Sequence, residues 1–139
     1  MKRYLWAILT GFMVVASARA ETVNWQADFD KAVASAKKDG KLVVVDVYTD
    51  WCGWCKKLDK DVYADPKVIQ KLAKDFVAVK INPEKTARAA DLARQFGTRA
   101  YPHIVFVNGD GKKIGEIGGY VPADEFLKRL DNITQSKNK

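Results

Sequence analysis

Two cysteines, one histidine and four prolines are all that this 139-residue chain has of the residues that staple, chelate or stiffen a fold. A structural zinc site takes four ligands, mostly Cys and His, so Cys52, Cys55 and His103 cannot build one. With nine glycines the composition fits neither a fibre nor a disordered tail. A stripe of positive charge is missing too. The 24 Lys and Arg are dispersed among 17 Asp and Glu, and leaving out Lys2, Arg3 and Arg19 lowers the net charge from +7 to +4. Nucleic-acid binding wants a concentrated basic face, so it is excluded as the main role. Nor does any stretch reach the roughly 20 apolar residues that cross a bilayer. What remains, at 47% apolar and 29% charged, is one globular domain.

The longest apolar run lies at the start. Lys2 and Arg3 precede Tyr4 to Ala16, interrupted only by Thr10 and Gly11, and Ala18-Arg19-Ala20 places small residues at alternate positions. That is the basic, apolar and cleavage-site order of a secretory signal peptide, so residues 1–20 are expected to be a leader and residues 21–139 the domain. An uncleaved anchor would need a longer run. Export places the domain where disulfides persist, with no stable membrane insertion after the leader is removed.

Along the rest of the chain two hydrophobic periods alternate. Phe29, Ala32, Val33 and Ala36 recur at helical spacing between a capping Asp28 and a stop at Gly40. Leu42 to Tyr48 is β-branched and apolar on both faces, as a strand covered on both sides must be. A helix follows with Cys55, Leu58 and Val62 on one face. Asp65-Pro66 caps and opens another over Lys67 to Ala73. Phe76 to Ile81 reads as a strand, and Ala87 to Phe96 as a helix between Thr86 and Gly97. Ile104 to Val107 and Lys113 to Ile117 flank the hairpin signal Asn108-Gly109-Asp110-Gly111. Pro122 then starts a helix with an apolar stripe of Phe126, Leu127, Leu130 and Ile133. Strands alternating with helices predict an α/β fold with one central mixed sheet, parallel through right-handed crossovers and antiparallel at the late hairpin.

The chemistry is concentrated in Cys52-Gly53-Trp54-Cys55, between a covered strand and the helix it opens. A structural clip across so short a loop would contribute at most about 2 kcal/mol, against about 3 for a fifteen-residue loop. Haem attachment would want a His after the second Cys, where Lys56 stands. A redox dithiol needs nothing beyond the residues present. At the helix N-terminus, unpaired N–H groups and the positive end of the dipole favour an anion, so Cys52 is expected to be the attacking thiolate. Cys55, one turn on, is expected to be shielded and to resolve the mixed disulfide. Lys56 and Lys57 add positive potential nearby or are ordinary solvated charges.

Asp46 is out of place in an apolar strand, where desolvation should raise its pKa unless a partner compensates. Six residues before Cys52, it is positioned to take the proton from Cys55 as a general base. Lys80 on the next strand can hold it by charge or through water. A structural Asp46–Lys80 pair is the other reading.

Taken together these residues resemble the thioredoxin family over Phe29 to Ile133. LVVVDVYTDWCGWCKK is similar to its strand, active-site loop and helix, with Asp46, Trp51, Cys52 and Cys55 at the acid, Trp and dithiol positions. Lys80 matches the family lysine, Pro102 in FGTRAYPH the cis-proline, and Gly118 or Gly119 the groove glycine. The resemblance implies a thioredoxin fold with helices on both faces of the sheet. It also implies that Tyr101 pairs its backbone with an extended substrate, and that Trp51, Gly53, Trp54, Tyr101, Pro102 and Gly118 form the substrate surface. Trp54 departs from the Pro or His found between the cysteines elsewhere, and the mid-helix proline is absent. With the export pattern, this is similar to periplasmic domains of the family such as the C-terminal domain of DsbD.

The expectation is an exported thiol-disulfide oxidoreductase that reduces protein disulfides as a monomer. It needs no cofactor beyond its own redox-active disulfide and no metal, and a membrane reductant-transfer protein is the implied electron donor. An oxidase or isomerase, or a chaperone-like binding module using the aromatic groove, are the rivals. His103 stands where the family usually has Thr, either as a charge near Cys52 or as an exposed strand start.

Overall fold

The structure, a computed structural model, describes residues 21–137; the leader expected at residues 1–20 lies outside them. Ten elements follow in chain order: β1 (Trp25–Gln26), α1 (Phe29–Asp39), β2 (Leu42–Val47), α2 (Gly53–Asp61) and α3 (Pro66–Asp75) come first. They are followed by β3 (Phe76–Ile81), α4 (Ala87–Phe96), β4 (His103–Val107), β5 (Lys113–Gly118) and α5 (Ala123–Lys137). The strands form one sheet in the order β1-β3-β2-β4-β5. β3 runs parallel to both β1 and β2, while β4 is antiparallel to β2 and to β5.

Local chemistry sets most boundaries. Asp28, Asp65 and Thr86 each accept backbone N–H bonds from the first turn of the helix they precede. Gly40 and Gly97 end α1 and α4 in the left-handed conformation, at φ 66 and 74, which a Cβ would disfavour. β1 has no counterpart in the sequence reading, because two residues are too short to show a period.

Side chains alternate across the sheet and divide the core. Val43, Val45, Val47, Val77, Val79, Ile81, Val105 and Val107 pack against α1 and α4. Leu42, Val44, Phe76, Ala78, Ile104 and Phe106 face α2, α3 and α5, where Leu58, Leu72, Phe126 and Leu130 cover them. Strand parity puts Asp46 and Lys80 on this second face, beneath α2. Among the described residues no helix is long and apolar enough to cross a membrane.

Candidate active site

β2 runs out at Val47, the chain turns through Thr49 and Asp50, and α2 begins. Cys52 is the N-cap of that helix, with its sulfur accepting the N–H of Cys55 at 3.1 Å. No acid occupies the first turn, so nothing there offsets the positive helix end. The two cysteines are joined in a disulfide with Cα atoms 5.3 Å apart. Cys52 is 4% exposed and Cys55 2%, so shielding hardly separates them. What separates them is position, since Cys52 stands ahead of the helix and Cys55 inside its first turn, on the face of Leu58.

Asp46 is fully buried, and its register partner on β3 is Lys80. The ammonium lies 3.1 Å from Asp46 Oδ2, but off the hydrogen-bonding direction, so neither carboxylate oxygen accepts a directed bond. Burial raises the Asp46 pKa from 3.8 to about 6, against the lowering pull of Lys80. Lys80 is shared with Asp59 of α2, at 2.9 Å. Burial works against its charge, yet the two carboxylates hold its pKa above the ordinary lysine value. Three aromatic rings enclose it: Tyr48 at 4.3 Å from the centroid, Trp25 at 5.6 Å and Tyr63 at 5.9 Å. Burial, and then the two nearby carboxylates, push the Tyr63 hydroxyl well above its usual pKa. Lys80, Asp59, Tyr63 and Trp25 line a cavity of about 350 Å³.

On the surface side, Trp51 and Trp54 are 67% and 58% exposed. Trp51 donates its indole N–H to Glu84 at 2.8 Å and stands edge-on to Tyr101, centroids 5.8 Å apart. Such exposure is not that of a core tryptophan. Gly53 opens α2 with free space where a Cβ would project. The Tyr101-Pro102 peptide bond is cis, and Tyr101 precedes β4, outside the sheet pairing. Gly119 donates its N–H to the Pro102 carbonyl at 2.9 Å. Trp54, Tyr101, Pro102, Gly119 and Tyr120 line a second cavity, of about 260 Å³. Gly118 is the last residue of β5, opposite His103, and does not line that cavity.

His103 is not the exposed strand start that one reading foresaw. It is buried rather than exposed, and it shares the strand face of Val105 and Val107, on the opposite side of the sheet from α2. There Nδ1 meets Thr98 at 2.8 Å and Nε2 meets Glu116 at 2.6 Å. Lys57 is tied to Asp61 at 2.7 Å rather than aimed at the sulfurs. Sequence reasoning missed Asp59, Glu84 and Tyr120. Asp59 alone carried a signal, since it follows Cys55 by four residues and so borders the same helix face. Among the described residues no group of three or more His, Cys, Asp or Glu is placed to hold a metal ion.

A family model described as a thioredoxin-like domain matches residues 29–134. The chain belongs to the thioredoxin-like family. With Cys52 and Cys55 at disulfide distance, this thioredoxin-like protein is a disulfide oxidoreductase of that family. It is 32% identical over 118 residues, 83% of its length, to the thiol:disulfide interchange protein DsbD of Pseudoalteromonas atlantica. To DsbD of Cronobacter sakazakii it is 35% identical over 123 residues, 85% of its length. The matched regions make up 20% of each of those proteins, so the chain spans about a fifth of the length of these curated relatives. Among solved structures, the oxidised C-terminal domain of DsbD from Neisseria meningitidis superposes with a TM-score of 0.64 at 27% identity. That match covers 78% of this chain and 97% of that domain.

Proposed function

We propose that this thioredoxin-like protein is an exported protein-disulfide reductase, with residues 21–139 as the working domain. The observation that carries the proposal is the placing of the Cys52 sulfur at the head of α2, receiving the Cys55 N–H, with Asp46 buried beneath. Reduction of a substrate disulfide then takes two exchanges. Cys52 thiolate attacks one sulfur of the substrate, forms a mixed disulfide and expels the other sulfur as a thiolate. Cys55 gives its proton to the Asp46 carboxylate and attacks the Cys52 sulfur, which releases the second substrate thiolate. Two electrons pass from the dithiol to the substrate, each expelled thiolate takes up a proton, and the Cys52–Cys55 disulfide of this structure remains. Lys80 offsets the negative charge on Asp46 while it waits for the proton.

Several residues give the substrate its surface. Tyr101 offers its unpaired backbone to an extended segment beside Pro102, a short form of strand addition. Trp51, Gly53 and Trp54 flank the sulfurs, and the turn at Gly118 and Gly119 borders the loop. The residue between the cysteines supports the reductive direction. Trp54 supplies no imidazole to over-stabilise the thiolate, and such stabilisation is what makes a strong oxidant. Export rests on the leader pattern of residues 1–20, and the oxidising space beyond the cytoplasm then calls for an external reductant. A membrane protein presenting a reduced dithiol is the donor that the likeness to DsbD suggests. The domain acts as a monomer, without metal or cofactor.

Trapping tests the assignment. A Cys55→Ser variant given a disulfide-bonded protein should accumulate a mixed disulfide through Cys52, whereas a Cys52→Ser variant should not. Adduct formation through Cys55 would overturn the roles. Equilibration with glutathione should give a potential near about −270 mV, and a value near about −120 mV would make the protein an oxidase instead.

A further inference from the structure

The loop between α4 and β4, which carries the cis peptide bond, has little backbone bonding of its own. Gly97 and Thr98 donate to the last carbonyls of α4, and the Pro102 carbonyl accepts from Gly119. Between them, Arg99, Ala100 and Tyr101 make no backbone–backbone hydrogen bond among the described residues, and Arg99 and Ala100 are exposed. Side chains must therefore hold this loop in shape. We propose that His103 is its clasp, a positioning residue that keeps Tyr101 and Pro102 where a substrate chain can pair with them. This rests on the reductase reading and on the docking role given there to Tyr101.

One imidazole spans the base of the loop. His103 follows Pro102 directly, and its backbone is fixed in the sheet between Val47 of β2 and Gly118 of β5. Nδ1 lies 2.8 Å from the hydroxyl of Thr98, so a single side-chain contact joins the two ends of the loop. Nε2 lies 2.6 Å from Glu116 on β5. Glu116 also accepts from the Lys113 ammonium at 2.6 Å, and that ammonium donates to the Phe96 carbonyl, the end of α4, at 3.1 Å. The contacts run from the end of α4 through β5 to the ring, and from the ring back to the start of the loop.

Donors and acceptors match along this path. The hydrogen bonds from Lys113 and then from His103 hold the Glu116 carboxyl below its ordinary pKa. An ionised carboxylate only accepts, so Nε2 carries a proton. The Thr98 hydroxyl can donate to Nδ1 or accept from it, so that contact persists in either charge state of the ring. With both nitrogens engaged in a buried place, turning the ring would strand a polar atom, and one orientation is left. A loop already held in the docking geometry loses less conformational freedom when a substrate pairs with it. The clasp therefore acts on substrate binding. It stays clear of the exchange itself, because the ring lies on the opposite side of the sheet from α2.

Two substrates of the reduced protein test the clasp in stopped flow. One is a short peptide whose single cysteine forms a mixed disulfide with 2-nitro-5-thiobenzoate, so it has a backbone to pair. The other is the symmetric disulfide of that coloured thiol, which has none. Thr98→Val, which keeps the side chain's shape, and Glu116→Leu should each raise the KM for the peptide about fivefold, the weight of one hydrogen bond, with kcat unchanged. Thr98→Ser and Glu116→Gln keep a hydroxyl and an acceptor, and should stay within about twofold of the wild type. All four variants should reduce the symmetric disulfide at the wild-type rate, with circular dichroism reporting the fold, and either bond-losing variant alone suffices. A peptide KM that stays put in the bond-losing variants, rises equally in the conservative ones, or rises together with an equal loss on the symmetric disulfide overturns the clasp. A wild type unable to reduce the symmetric disulfide overturns the reductase reading instead.

Discussion

Replacing Asp46 by Asn is expected to make the protein more stable at neutral pH, although it removes half of a buried ion pair. An Asp with a pKa of 3.8 when unfolded and about 6 when folded binds its proton more tightly in the native state. Below pH 3.8 both states are protonated and the residue costs nothing. Between about pH 4 and 6 the unfolded chain ionises first, so stability falls as pH rises, and above about 6 the full cost is present. At about 1.4 kcal/mol per pH unit the gap corresponds to about 3 kcal/mol. Breaking a buried pair usually destabilises, because the surviving charge is left alone. Here Lys80 keeps Asp59 at 2.9 Å, so it is not stranded. The Asn amide, in a place where neither Asp46 oxygen has a directed partner, takes back about 1 kcal/mol, leaving a gain of about 2 kcal/mol. Guanidinium unfolding of the oxidised protein at pH 7.5 and pH 3.5 measures this. For an m of about 3 kcal/mol/M, the midpoint should rise by roughly 0.7 M at pH 7.5 and not at pH 3.5. An unchanged midpoint at pH 7.5, or equal shifts at both pH values, would refute the electrostatic reasoning.

The proposed base role of Asp46 predicts an effect on a rate. Resolution of a mixed disulfide between Cys52 and a peptide should accelerate as pH rises through about 6, where Asp46 becomes able to take the Cys55 proton, and the Asn variant should lack that limb in stopped-flow traces. Lys80→Met should cost about 3 kcal/mol at pH 7.5 and less at pH 4.5, because Asp46 then has no cation, and adding Asp46→Asn should recover most of the loss in the same unfolding assay. Thr86→Ala removes the acceptor for the Ala89 N–H at the start of α4. It should lower thermal stability by about 1 kcal/mol and leave the glutathione equilibrium constant of the dithiol unchanged.

Much of the architecture was written in local signals. Asp28, Asp65-Pro66, Thr86, Gly40 and Gly97 mark helix ends through bonds or dihedral angles that involve only neighbours, and they stand where the sequence placed them. Asp46 and Lys80 were legible because each interrupts an apolar strand. The register between their strands then set them side by side. The rest depends on contacts no local pattern encodes. Glu84 reaches Trp51 across 33 residues, and Tyr120 reaches Asp61 across 59. His103 was readable in principle, since alternation with Val105 and Val107 assigns its face. Taking it as an exposed strand start ignored that parity.

β3 contributes more than its six residues suggest. Its penultimate residue is Lys80, under α2, and three residues after its last position, Ile81, Glu84 accepts the indole N–H of Trp51. Because a strand alternates faces with a period of two, a single-residue insertion inside β3 would turn Lys80 toward the valine layer under α1 and α4 and displace Glu84 in the same stroke. The Lys80–Asp46 pair and the Trp51–Glu84 contact are thus indexed by one stretch of chain, and a change of its register disturbs both at once.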